Sequence, residues 1–145
     1  MSRFIALDHG SRRIGVAVGD TETGMAFARD AILRRNLAVD LDVIEALVAG
    51  EIAEMVIIGL PLNMDGSEGE QAASARRFGE RLVARGMTIA YEDERLSSWE
   101  AGERLSMAGR RPRRGSGELD STAARVILQQ YLDARRRAGP PEETE

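Results

Sequence analysis

The chain has 145 residues, with 20 basic against 24 acidic side chains, one histidine and no cysteine, for a formal net charge of −4. That length supports one domain with a proper core, and the composition excludes disulfide frameworks, thiolate metal sites and zinc sites built on several histidines. No apolar run approaches the roughly 20 residues of a membrane span and no signal peptide is visible, so a soluble, cytoplasmic protein is expected.

Residues 4–8 read Phe-Ile-Ala-Leu-Asp, and a second apolar run spans Ile14 to Val18. Between them lie His9, Gly10, Ser11, Arg12 and Arg13, a polar turn of the kind that joins two strands. The predicted strands are Arg3–Leu7, Ile14–Gly19 and a third around Ala28–Leu33. Asn36 then offers an N-cap to a helix carrying Leu37, Leu41, Ile44 and Val48 at helical spacing, with Gly50 near its end. Met55 to Gly59 is a continuous apolar run, the mark of a strand buried on both faces.

A turn-rich loop follows over residues 60–69. Ser67 and Glu70 then have capping-box spacing for a helix with Ala72, Ala75, Phe78 and Leu82 inward and Gly86 past its end. Met87 to Tyr91 is the next strand. Ser97 and Glu100 repeat the capping-box spacing before a helix through Trp99, Leu105 and Ala108. A last amphipathic helix carries Ala123, Ile127, Leu128, Tyr131 and Leu132. The order β-β-β-α-β-α-β-α-α describes an α/β fold, a mixed sheet with helices packed on it, its later strands parallel to the first. One domain is expected over residues 1–137, with a flexible acidic tail over 138–145.

In such sheets ligands bind outside the carboxyl ends of the parallel strands. Three acidic positions point there: Asp8 after the first strand, Glu92-Asp93-Glu94 after the last, and Asp120 before the final helix. Carboxylates gathered at one edge repel one another unless a cation joins them. Oxygen ligands without histidine or cysteine favour Mg²⁺ or Mn²⁺, and such a site suits phosphodiester hydrolysis. Singly, each acid has an ordinary use: Asp120 as a helix cap, Asp93 or Glu94 in a surface ion pair with Arg95, Asp8 as an acceptor in its turn.

All 20 basic residues are arginine, and they cluster. Pairs or runs occur at Arg12-Arg13, Arg34-Arg35, Arg76-Arg77 and Arg135 to Arg137, and the densest segment holds Arg110, Arg111, Arg113 and Arg114 around Pro112. A net acidic protein with local basic patches can hold a polyanion by them. Segment 110–118 reads as a basic flap ahead of Asp120. In loop 59–69, Asn63 and Ser67 offer polar groups to substrate, with Arg76 further along the helix.

The chain resembles the YqgF/RuvX family of Holliday-junction resolvases, also described as nucleases that mature small-subunit ribosomal RNA. The resemblance rests on Ala6-Leu7-Asp8-His9-Gly10 with Arg13-Ile14-Gly15-Val16-Ala17, on GLPLNMDGSEGEQA at 59–72 followed by Arg76 and Phe78, on Asp93-Glu94-Arg95-Leu96-Ser97-Ser98, and on Asp120 with Ala123-Ala124 and Ile127-Leu128-Gln129. It implies a ribonuclease H-like fold with a five-stranded mixed sheet. It also implies metal-dependent cleavage of structured RNA or branched DNA by Asp8, Glu94 and Asp120, with Asp93 as the alternative to Glu94.

Arg13, Asn63, Ser67, Arg76, Arg95 and the arginines of 110–114 are the expected substrate contacts, in a monomer or homodimer. One feature departs from related resolvases: the strand after the first helix ends in Gly59-Leu60-Pro61 without an acid. Glu94 then lies two strands from Asp8, about 10 Å at normal spacing. Two other functions compete. A non-catalytic ribosome-assembly module could keep the fold, and an actin-like or sugar-kinase ATPase also opens on Asp-x-Gly and a hairpin. The latter needs a second such domain, for which this chain is too short.

Overall fold

The computed structural model describes residues 1–94 and 121–138. The expected helix around Trp99, the basic segment 110–118, Arg95, Asp120 and residues 139–145 lie outside them. Three strands come first, β1 (Arg3–His9), β2 (Arg13–Asp20) and β3 (Ala26–Leu33), paired as an antiparallel meander. Then follow α1 (Leu37–Glu51), β4 (Met55–Leu60), α2 (Glu70–Ala84), β5 (Ile89–Asp93) and α3 (Thr122–Ala138). The sheet order is β3-β2-β1-β4-β5, with β1, β4 and β5 parallel, as the helical crossovers between them require. The mixed five-stranded sheet expected from the sequence is the one observed.

Alternation along the strands divides the interior into two layers. Ile5, Leu7, Val16, Val56 and Ile58 pack against Leu41 and Ile44 of α1 and Ala75, Phe78 and Leu82 of α2. Phe4, Ala6, Ala17 and Ile57 face the other way, against Ala124, Ile127, Leu128 and Leu132 of α3. The inner strand β4 has helices on both sides, which is why its sequence is uninterrupted by polar residues. Of the predicted inward positions on α3, Ala124 rather than Ala123 takes the fully buried place.

One helix end meets expectation and another does not. Asn36 caps α1, its side chain accepting from Val39 N at 3.0 Å. Gly50 lies one residue from the helix end, as expected, and Ile52 takes the left-handed cap conformation at φ 54°. Its N–H bonds Ala49 O, and Ala53 N reaches Val48 O, closing the last carbonyls. Ser67 does not open α2. The N-cap is Gly69, without a side-chain hydrogen bond. Ser67 belongs instead to a tight turn: its N and Oγ both donate to Asp65 Oδ1, at 2.9 and 2.6 Å, and Asn63 Nδ2 donates to Ser67 Oγ at 3.0 Å. The short Asx turn competes better for the hydroxyl than a helix three residues away.

Helix α3 is tied to the sheet at three places. Near its middle, Gln129 accepts from Ala26 N and donates to Gly24 O, both at 2.9 Å, fixing the start of β3. Gln130 donates to the Glu92 carboxylate and fixes the end of β5. At its start, Ser121 is fully buried and bonds to β2 and β3. These contacts hold the N-terminal end of α3 over the carboxyl end of the parallel strands.

Candidate active site

Asp8 is the next-to-last residue of β1 and continues the alternation of Phe4 and Ala6, so it projects on the α3 side of the sheet. On β5, Ala90 packs in the α3-side layer while Ile89 and Tyr91 pack in the other. The same alternation sends Asp93 with Tyr91 and keeps Glu94 on the side of Asp8. Between β1 and β5 runs β4, where Leu7 pairs with Ile58 and Gly59 with Glu92. The side chain of Glu94 crosses β4 over Gly59 and meets Asp8 in a hydrogen bond.

Two carboxyls in contact, Glu94 buried and Asp8 half-buried, cannot both be ionised at modest energy. Burial raises the Asp8 pKa, opposed by the hydrogen bond it receives from Glu94. Burial first, and then the charge of Asp8, push Glu94 up to about 8. The pair therefore holds one proton near neutrality, with Glu94 the acid that donates and Asp8 the carboxylate that accepts. Among the described residues no arginine contributes to the shift of either group. The donor set is two hard oxygen ligands poorly neutralised by the described residues around them, and that chemistry fits a divalent cation. Two described carboxylates do not make a complete ligand set, and among the described residues no group of three acidic or histidine side chains is present.

The pair opens into a cleft of about 400 Å³ lined by Asp8, Glu94, the turn from His9 to Ser11, Arg34, Pro61, and Gln71 and Ser74 of α2. His9 stacks on Phe78 with ring centroids 4.4 Å apart. Burial, reinforced by the nearby charge of Arg34, lowers its pKa to about 4, so the imidazole is neutral at physiological pH. Arg34 donates from Nη1 to Gly10 O at 2.7 Å and to Ser11 O at 3.2 Å, bracing the turn that follows Asp8.

Of the residues expected from the sequence, Asp8 and Glu94 are brought together. Asp120, Arg95, Arg110, Arg111, Arg113 and Arg114 lie outside the described residues. Arg13 sits at the start of β2, across the turn from Asp8. Asn63 and Ser67 are occupied with each other and with Asp65, and neither lines the cleft among the described residues. Arg76 is held bidentately by Glu68, with both hydrogen bonds 2.7 Å, and its guanidinium lies 4.8 Å over the Tyr91 ring. Sequence reasoning did not single out Arg34, Gln71 or Ser74 as site residues. The only advance signal was the Arg34-Arg35 pair; nothing in a lone glutamine or serine on a helix marks a cleft.

The resemblance extends over most of the chain. A family model described as RuvX, Holliday junction resolvase, matches residues 2–134. A Synechococcus protein named "Putative pre-16S rRNA nuclease" is 44% identical over 137 residues, covering 91% of this chain and 89% of the relative. An Anaeromyxobacter (strain K) protein of the same name is 43% identical over 134 residues, covering 92% and 98%.

Among solved structures, T. thermophilus RuvC in complex with Holliday junction substrate superposes with a TM-score of 0.59 at 12% identity, covering 96% of this chain and 97% of that one. The yeast mitochondrial Holliday junction resolvase Ydc2 gives 0.55 at 8% identity, covering 94% and 82%. At those identities the structures speak to the fold alone, and the fold is ribonuclease H-like. By the family model and the curated relatives together, the chain belongs to the RuvX family of Holliday junction resolvases.

Proposed function

We propose that this protein is a divalent-metal-dependent nuclease that hydrolyses phosphodiester bonds in structured nucleic acid, with precursor 16S rRNA and four-way DNA junctions as its candidate substrates. The observation that carries this is the Asp8–Glu94 pair: a buried glutamate hydrogen-bonded to a half-buried aspartate, both lining one cleft. Such a pair lowers the stability of a metal-free protein, and a non-catalytic module has no use for it. Asp8 and Glu94 would hold Mg²⁺ or Mn²⁺, with Asp120 as the third ligand. Support for Asp120 comes from its neighbour Ser121, fixed to Val16 of β2, whose cross-strand partner on β1 is Leu7 beside Asp8.

Held by these residues, a divalent ion would supply Lewis-acid chemistry for water activation and for the charge on the leaving oxygen. The residues of the chain do the rest. Asp8 and Glu94 surrender their shared proton to solvent and present two anionic ligands. Arg34, at the cleft mouth, faces the phosphodiester backbone, and Arg13, Arg95 and the arginines of 110–114 extend that contact. Asn63, Ser67 and Arg76 are at most peripheral, since their polar groups are already satisfied within the loop and α2. The aromatic complement for stacking bases is small, which suits recognition of backbone shape over sequence.

The test is cleavage of a four-way DNA junction and of a precursor-like structured RNA in Mg²⁺, Mn²⁺ and EDTA. Metal-dependent cleavage of either supports the proposal. Tight binding without cleavage in any metal would contradict it.

A further inference from the structure

We propose that Gly59 is a positioning residue of this site, the gap in β4 through which the Glu94 side chain reaches Asp8. The inference rests on the assignment of Asp8 and Glu94 as cation ligands. Strand β4 stands between β1 and β5, so the two acids start about two strand spacings apart, roughly 10 Å. They nevertheless meet, and the Glu94 side chain passes over residue 59 to do so. A Cβ placed on Gly59 would lie 2.8 Å from Glu94 Oε2 and 2.9 Å from Glu94 Cδ, closer than such atoms approach.

The backbone does not itself demand glycine here. Gly59 is in the body of β4, paired with Glu92 of β5, and is not one of the glycines with positive φ. What the position requires is space. Two side chains use that space: the Glu94 carboxyl and the Ile127 Cδ1 methyl, the latter 2.5 Å from the same Cβ. Both are the ends of flexible chains and both can move, so an alanine is compatible with folding. Moving Ile127 alters packing. Moving Glu94 separates it from Asp8. The two consequences are separable by experiment.

The probe is Mn²⁺ alone, titrated into the full chain and followed by electron paramagnetic resonance of the free ion, with unfolding temperature from circular dichroism. Gly59→Ala is expected to fold and to bind Mn²⁺ about 10–100-fold more weakly, the usual loss when a ligand's support is removed. Adding Ile127→Val removes the methyl that the new Cβ strikes. The double variant should regain unfolding temperature without regaining affinity.

Recovery of both together would show that glycine serves packing only and would overturn the proposal. Should the double variant not fold, Glu94→Asp decides. Its shorter side chain no longer spans β4, so affinity should fall as in Glu94→Gln, and wild-type affinity would overturn the proposal. Glu94→Gln separates the two levels of inference. If it binds Mn²⁺ as well as wild type, the ligand assignment itself fails. If it binds weakly while Gly59→Ala binds normally, only the role of Gly59 fails.

Discussion

Ser121 Oγ accepts a hydrogen bond from Val16 N at 3.0 Å across 105 residues of sequence, and donates its own proton to Arg29 O. Val16 and Arg29 are register partners at the place where the β2–β3 ladder is interrupted, between Ile14 and Val16. A β-bulge leaves backbone groups unpaired, and the Ser121 hydroxyl satisfies one from each strand. It thereby fixes the start of α3 beside the strand that carries Asp8.

Ser121→Ala takes the acceptor from the buried Val16 N–H and the donor from the part-buried Arg29 carbonyl. The expected loss is about 1–3 kcal/mol, measured by urea unfolding. Because Asp120 is one residue away, Mn²⁺ affinity should fall as well. A neutral effect on both would remove Ser121 as an anchor.

The shared proton gives the metal-free protein a pH signature. Glu94 is raised from 4.5 to about 8 in the folded state, so between those values the folded chain binds more protons than the unfolded one and stability falls as pH rises. His9 is lowered from 6.5 to about 4, so it contributes the opposite slope between those values, stability being lost as pH falls. The two oppose each other below about 6.5, and from there to about 8 His9 no longer offsets Glu94. The unfolding temperature in EDTA should decline across pH 6.5–8, and the decline should vanish in Glu94→Gln. In saturating Mn²⁺ it should vanish too, since a cation keeps the pair deprotonated.

Arg34 both braces the turn after Asp8 and lines the cleft. Arg34→Gln keeps a donor but removes the charge. Substrate binding should weaken about tenfold, and the slope of log affinity against log salt should become shallower by about 0.9, the value of one neutralised phosphate. An unchanged slope would mean that Arg34 only braces the turn.

The basic segment makes a larger claim on the same measurement. Replacing Arg110, Arg111, Arg113 and Arg114 with alanine should flatten the slope by about 0.9 for each phosphate that is no longer neutralised. A slope equal to wild type would make the segment a spectator.

The strand order and the burial of β4 on both faces were legible from apolar periodicity, and carboxylates ending strands marked the edge that holds Asp8 and Glu94, with the choice of Glu94 over Asp93 coming from the family resemblance. Local competition was harder to read. Ser67 has the spacing of a cap, yet the Asx turn with Asp65, two residues away, takes its hydroxyl first. Arg76 has the look of a phosphate contact, yet Glu68, eight residues back, is brought against it when the 60–69 loop folds on itself. The absence of an acid at the end of β4 was visible from sequence as a difficulty. Its meaning, a glycine that makes room for Glu94, needed three-dimensional proximity to Ile127 and β5.

The most direct test of the central claim compares wild type with Asp8→Asn on a four-way DNA junction and a precursor-like structured RNA, in Mg²⁺, Mn²⁺ and EDTA. The substitution removes the Asp8 charge that helps to raise Glu94 while an amide oxygen can still accept its hydrogen bond, so the variant should fold about as stably as wild type in EDTA while losing cleavage in either metal. Cleavage by Asp8→Asn at the wild-type rate would contradict the assignment of this carboxylate pair as the catalytic centre.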